Sequence, residues 1–218
     1  MRFFRASLIT RMFYAEAIFR IKTYKKILYL TFDDGPDSLS TIPLLNTLAE
    51  YNAKAVFFCT GKAAFEYPEI MDRIRSDGHL VGNHSYDHPD GFYMENPLYF
   101  RDVGSADQYT SGSLFRPPYG RLTRSQYDFL RKSYTIFMWD LMPYDFEDGF
   151  GSKRVLRILK RKIRRGSVIV LHDTSTSLAR EILPEFLQYA RKRGYIFSLP
   201  EIDQARNAHA SENTLSKL

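Results

Sequence analysis

The chain has little of what would place it in several common classes. Its 218 residues include one cysteine, Cys59, so no intrachain disulfide can form and nothing marks an oxidising compartment. Cys59 follows the apolar run AVFF, the setting of a small buried hydrophobe rather than a reactive thiol. No apolar run nears the roughly 20 residues that cross a bilayer. The N-terminal MRFFRASLITRMFYAEAIFRI is interrupted by Arg5, Arg11, Glu16 and Arg20 before it reaches the length of a secretory core. With neither signal peptide nor membrane span, the expected location is cytoplasmic or peripherally membrane-associated. No glycine-rich phosphate loop follows the first apolar run, which argues against a nucleotide site. No repeat or low-complexity segment interrupts the pattern.

What is present is a globular composition. Hydrophobic residues make up 44%, with 17 Phe and 15 Tyr, enough for a sizeable core. The net charge is +6, and much of the excess lies in KRVLRILKRKIRR at 153–165. There Val155, Leu156, Ile158, Leu159 and Ile163 recur at helical spacing, predicting one packed face and one basic face. No aromatics interleave with these charges, so nucleic acid is not an expected partner. A peripheral membrane contact through the basic amphipathic segments is the sharper reading of them.

Short β-rich runs alternate with helical patterns. Strands are expected near 27–32, 54–59, 79–82, 113–115, 134–139, 167–171 and 195–199. Helices are expected near 40–51, 67–76, 96–108, 123–132, 152–165 and 178–193. This alternation predicts an α/β fold with a parallel sheet whose strands are buried on both faces. About seven repeats point to a closed or nearly closed barrel, with an open doubly wound sheet as the competitor. The expected division is an amphipathic helix or arm over 1–24, a catalytic domain over 25–206 and a polar tail over 207–218.

The polar residues gather after the strands. Asp33 and Asp34 end the run ILYLTF; Asn83-His84-Ser85-Tyr86-Asp87-His88 follows the third strand, and Arg116-Pro117-Pro118-Tyr119-Gly120 the fourth. Asp140 and Asp145 follow the fifth, and His172-Asp173 the sixth. In a parallel barrel all strand ends meet at one rim, where such barrels do chemistry. Two carboxylates in a pocket repel, and a divalent cation relieves the repulsion. His84 and His88 are four apart, so one helical turn would face both rings the same way. Two imidazoles and a carboxylate make a three-ligand site with open positions; that set suits zinc and also the Fe(II) of oxygenases. Successive side chains diverge from an extended backbone, so one Asp can face the cation while the other stays ready to take a proton. Arg116, on its proline-rich loop, is expected to pair with a pocket carboxylate. His172 is a candidate general acid, and Asp145 could hold its tautomer. His79 falls at a strand start, on the opposite rim, and His209 in the tail; neither is given a role.

In order, TFDDGP (31–36), NHSYDH (83–88), FRPPYG (115–120), WDLMPYDF (139–146) and IVLHD (169–173) resemble the five motifs of the polysaccharide deacetylases, the NodB-type carbohydrate esterases of family 4. The motifs span about 140 of the 218 residues. The resemblance implies a distorted (β/α)7-8 barrel and metal-assisted removal of the N-acetyl group of an N-acetylglucosamine-type sugar, in peptidoglycan, a chitin-like polymer or a related glycan. The alternatives are an O-acetyl esterase or other amide hydrolase on the same site, or an inactive glycan-binding module. Carried over, Asp33 is the base and Asp34, His84 and His88 hold the metal, usually Zn2+, with Co2+, Ni2+ or Fe2+ as substitutes. Arg116 tunes Asp33, His172 is the acid supported by Asp145, the Tyr119 N–H binds the oxyanion, and Leu171 lines the acetyl methyl pocket. Phe146 stands where the family usually has Trp, which bears on substrate fit. The aromatic-rich GFYMENPLYF (91–100) is a further place where specificity could be set.

Overall fold

The structure is a computed structural model that describes residues 4–110, 113–147 and 149–201. The polar tail expected over 207–218 lies outside the described residues. In chain order the elements are α1 (Leu8–Phe13), β1 (Ile27–Asp33), α2 (Thr41–Glu50), β2 (Ala55–Cys59), α3 (Gly61–Glu66), α4 (Pro68–Ser76), β3 (Leu80–Asn83), α5 (Asn96–Thr110), β4 (Leu114–Phe115), α6 (Arg124–Leu130), β5 (Thr135–Ile136), α7 (Ser152–Lys162), β6 (Val168–His172), α8 (Ala179–Lys192) and β7 (Ile196–Phe197).

Every pairing between these strands is parallel, in the order β5-β4-β3-β2-β1-β6, with β7 on the first two residues of β1. Strands β1 to β5 step outward in one direction. With right-handed crossovers, that order sends the connecting helices to one face and curls the sheet. A doubly wound sheet would reverse direction part-way, so the open-sheet competitor is excluded. A bridge between Leu141, past β5, and Ile169 of β6 draws the two edges together. The fold is the expected α/β barrel in distorted form.

Burial explains the strand sequences. All five residues of β2 are buried, as are six of the seven in β1, so both faces select apolar side chains. Phe32 stacks on Phe57 at 5.0 Å, and Leu44, Leu48, Leu159 and Phe186 from the helices complete the main cluster. Each such side chain contributes about 1.5–3 kcal/mol on burial. Helix α7 packs Val155, Leu156, Ile158 and Leu159 inward, as its spacing predicted.

Two differences from the sequence reading have local causes. Helix α3 was not expected; six residues are too few to show a period, and the signal was Thr60, whose hydroxyl accepts from the Ala63 N–H at 3.3 Å. Strand β5 is two residues long rather than six, because the chain beyond Ile136 bends toward β6: the N–H groups of Asp140 and Leu141 both donate to the Val168 carbonyl. That bend carries Asp140 to the start of β6, away from the rim on which the sequence reading placed it. The N-terminal residues also enter the fold. Tyr14 and Phe19 are buried, the Tyr14 hydroxyl donates to the Leu122 carbonyl at 2.8 Å, and Ile18 bridges Phe137.

Candidate active site

The C-terminal ends of β1, β3, β4 and β6 bring the expected residues together. Asp34 Oδ1 lies 3.4 Å from His84 Nε2 and 3.3 Å from His88 Nε2. One donor atom from each of the three lies within 4.8 Å of the others. The histidines do not share a helical turn, contrary to the sequence reading. Residues 84–90 form a loop in which Ser85 and His88 take positive φ, 65° and 58°. Pro89 and the hydrogen-bond demands of the loop explain why. Asn83 Oδ1 accepts from the Ser85 N–H at 2.7 Å, and Asp102 of α5 accepts from the N–H groups of Tyr86 (2.8 Å) and Asp87 (3.2 Å). The backbone groups that would make a helix are bound elsewhere.

Asp34 also departs from the expectation. Its φ of 78° puts it in the left-handed region rather than on an extended strand, so the turn, and not the pleat, separates it from Asp33. Among the described residues, Asp34, Ser85, His88 and Tyr119 are four of the six non-glycine residues with positive φ, and all four lie on these loops. Such backbone costs about 1–3 kcal/mol per residue and concentrates at functional sites.

The donor set fits a divalent cation. His84 Nδ1 is 2.7 Å from the Arg116 carbonyl, which can only accept, so Nδ1 carries a proton, and with that tautomer Nε2 would present a lone pair. That lone pair faces a carboxylate oxygen at 3.4 Å, an arrangement of two acceptors that needs a proton or a cation between them. Ligand bonds of about 2.0–2.2 Å at a tetrahedral angle place two donor atoms about 3.4 Å apart, in accord with both spacings. Burial raises the Asp34 carboxyl, and the two imidazoles more than offset it, holding it well below the usual carboxylate range.

Asp33 and Arg116 form the second unit. Both are buried, and Arg116 Nη1 donates to Asp33 Oδ1 at 2.6 Å. The guanidinium is fixed on every side: Nη1 also donates to Thr31 Oγ1 at 2.7 Å, Nη2 to the Met138 carbonyl at 3.0 Å, and the Phe58 ring lies 4.2 Å away. Burial lowers the Arg116 pKa from its ordinary value while Asp33 opposes the shift.

His172 and Asp145 form the third. Asp145 accepts from the His172 backbone N–H at 2.8 Å and holds Nδ1 at 3.0 Å, which leaves Nε2 to face outward. Burial pulls the imidazole pKa down, but Asp145 next to it, with Asp34 and Asp33 behind, carries it up to about 9. Phe146 lies over this ring at 4.4 Å and is 43% exposed; Tyr119 lies over His88 at 4.7 Å and is 59% exposed. Two exposed aromatic rings thus flank the polar groups. Leu171 is wholly buried in the main cluster and presents no side-chain surface at the rim. His79 is a core residue away from this rim: its Nδ1 accepts from the Ala55 N–H at 3.2 Å, and burial lowers its pKa to about 4.

The scan against family models matches residues 20–133 to the polysaccharide deacetylases. The chain belongs to the polysaccharide deacetylase family. Among curated relatives of this deacetylase-family chain is a peptidoglycan-N-acetylglucosamine deacetylase of Bacillus cereus, 31% identical over 152 residues, which cover 66% of this chain and 55% of the relative. Another is the peptidoglycan-N-acetylmuramic acid deacetylase PdaC of Bacillus subtilis, 31% identical over 195 residues, covering 84% of this chain and 41% of the relative. The chain thus spans about half the length of these two relatives. A solved peptidoglycan N-acetylglucosamine deacetylase superposes with a TM-score of 0.78 at 27% identity, covering 83% of this chain and 88% of that one.

Two residues of the deacetylase rim had no assigned role in the sequence reading. Asp173 is buried, accepts from the Thr41 hydroxyl at 2.6 Å and presses on Gly35, where an added Cβ would come within 2.2 Å of its Oδ2. Burial raises its pKa to about 7. The only signal for it was its place beside His172. Asp102, which ties down the ligand loop, sits in an ordinary helical pattern and gave no signal.

Proposed function

We propose that this chain is a metal-dependent deacetylase that hydrolyses the N-acetyl group of an N-acetylglucosamine-type residue in a glycan. The observation that carries the reading is the convergence of three units on one rim: a two-His, one-Asp donor set, a carboxylate clamped by a buried arginine, and an imidazole clamped by a buried carboxylate. Asp34, His84 and His88 would hold the ion, and the nitrogen-rich donor set favours zinc. Such an ion, when bound, polarises the acetyl carbonyl and acidifies water.

The protein's own groups divide the remaining work. Asp33 has Oδ1 committed to Arg116, so its other oxygen takes the proton of the attacking water as that oxygen bonds to the acetyl carbon. The Tyr119 N–H would stabilise negative charge on the former carbonyl oxygen, a contribution of roughly 3–4 kcal/mol for a good donor. His172, protonated and held through Nδ1, donates from Nε2 to the sugar nitrogen as the C–N bond breaks, leaving acetate and a free amine. Tyr119 and Phe146 offer apolar faces for the sugar ring on either side.

The test is acetate release from chitooligosaccharides, peptidoglycan fragments and acetylated xylan, with chelated and metal-reloaded protein side by side. The reading expects release from an N-acetylated glycan that chelation abolishes and Zn2+ or Co2+ restores. Release from xylan alone would make the chain an O-acetyl esterase. Glycan binding with no acetate from any substrate in metal-replete protein would make it a binding module.

A further inference from the structure

The N-terminal arm carries a surface that the deacetylase reading does not use. Helix α1 is built inside out. Leu8, Ile9 and Met12 share one face and are 80%, 80% and 77% exposed, while Arg11, at the edge of that face, turns inward to Asp140 at 3.4 Å. Exposure of that degree means that the three side chains stand clear of the fold. A clustered apolar face on a surface helix marks an interaction site.

Basic charge surrounds it. Among the described residues, the ion pairs of Arg5, Arg11 and Arg164 all go to the one carboxylate of Asp140, three cations on one anion. Lys162 lies beside them, its ammonium 5.4 Å over the Phe4 ring. Arg161 and Arg165 are exposed and have no ion pair among the described residues. On the same end, in the loop leading to β1, Tyr24 is 98% exposed beside exposed Lys22 and Lys25.

We infer that this face docks the protein on an anionic lipid surface, with Leu8, Ile9 and Met12 entering the headgroup boundary and the surrounding arginines and lysines facing the lipid charge. A helix with an apolar face rimmed by cations has that partner chemistry, and an exposed tyrosine at the same end suits the interface. A second copy of the chain is a poorer occupant, because two-fold pairing on this face would bring like-charged rims together. The basic cluster gathers at the strand starts. Asp140 sits at the start of β6, where it accepts from Ser167 Oγ at 2.8 Å, and Arg20 bridges Ser167. The donor set lies at the other end of β1, about 20 Å away at about 3.3 Å per residue. The inference is independent of the proposed reaction, since its readout is binding.

The test is co-sedimentation of the full chain with vesicles of phosphatidylcholine alone and with about 30% phosphatidylglycerol, at about 0.1 M salt. Binding should be at least tenfold tighter to the anionic vesicles and weaken with salt. Arg161→Glu/Arg165→Glu should weaken it by about fivefold or more per residue. Leu8→Ser/Ile9→Ser/Met12→Ser should weaken it at least tenfold while leaving the melting temperature and acetate release from a soluble oligosaccharide unchanged. Equal binding to both vesicles, no binding to either, or an unaffected triple variant would overturn the inference. So would a dimer in solution that the triple variant converts to monomer.

Discussion

At the strand ends, Asp33 meets one arginine, Arg116, through one oxygen; at the strand starts, Asp140 meets Arg164, Arg11 and Arg5 and accepts from Ser167 as well. Both carboxylates are buried, so burial alone does not separate a reactive group from a structural one. The difference is in what is left over. Asp33 keeps an oxygen outside its arginine clamp and stands beside Asp34, whose carboxylate lies 3.4 and 3.3 Å from two imidazole nitrogens. Asp140 has both oxygens engaged by cations and a hydroxyl, and the residues it gathers come from the N-terminal arm and the end of α7. It latches an arm, while Asp33 has an oxygen left free of its arginine, as the proposed role of base requires.

The largest effect expected from this contrast is on stability. Asp140→Ala leaves three arginines facing one another in a partly buried pocket, and removing one partner of a buried charge cluster costs about 3–5 kcal/mol. At about 2–4 °C per kcal/mol for a chain of this size, the melting temperature should fall by about 10 °C. Acetate turnover per folded molecule should change less than twofold. A variant that kept its melting temperature but lost turnover would reverse the roles of the two ends. The same latch has a pH signature. The arginines and Ser167 hold the Asp140 carboxyl below its ordinary value against the opposing effect of burial. Its contribution is therefore complete above about pH 4 and is lost as pH falls through the lower folded value.

A smaller effect is expected at the site. His172 is raised to about 9, so the stability it contributes is complete below its unfolded value of about 6.5 and is lost as pH rises toward 9. A cation on Asp34 removes part of that elevation, so in the loaded protein the alkaline limb of turnover should lie below 9. Asp145→Asn should move the limb down by a further unit or more, about tenfold in activity for each unit at a fixed alkaline pH. Measuring kcat against pH for both proteins checks this; an unmoved limb would mean that Asp145 does not set the protonation of His172.

The strand ends were readable because their chemistry is written in short contiguous words. Asp-Asp-Gly-Pro, His-Ser-Tyr-Asp-His and Leu-His-Asp each put several polar residues where an apolar run stops, and parallel topology does the rest. What could not be read was conformation inside those words. The spacing of His84 and His88 suits a helical turn, but Asn83 and Asp102 bind the backbone donors and impose a loop instead. Asp140 was misplaced for a similar reason. A strand length was inferred from apolar residues that in fact continue through a bend, because Met138 and Leu141 are buried on either side of it. The inverted polarity of α1 was hidden too, since a six-residue helix shows which residues share a face but not which way that face points.

Asp34, His84 and His88 are proposed to hold one divalent ion while Asp33, next in the chain, is the base. Asp33→Asn separates the two jobs most directly, by metal content and acetate release on one sample. One ion per chain, as in the wild type, and acetate release lower by about 10²–10⁴-fold are the expected results. Turnover within tenfold of the wild type, or loss of the ion together with the activity, would contradict this assignment.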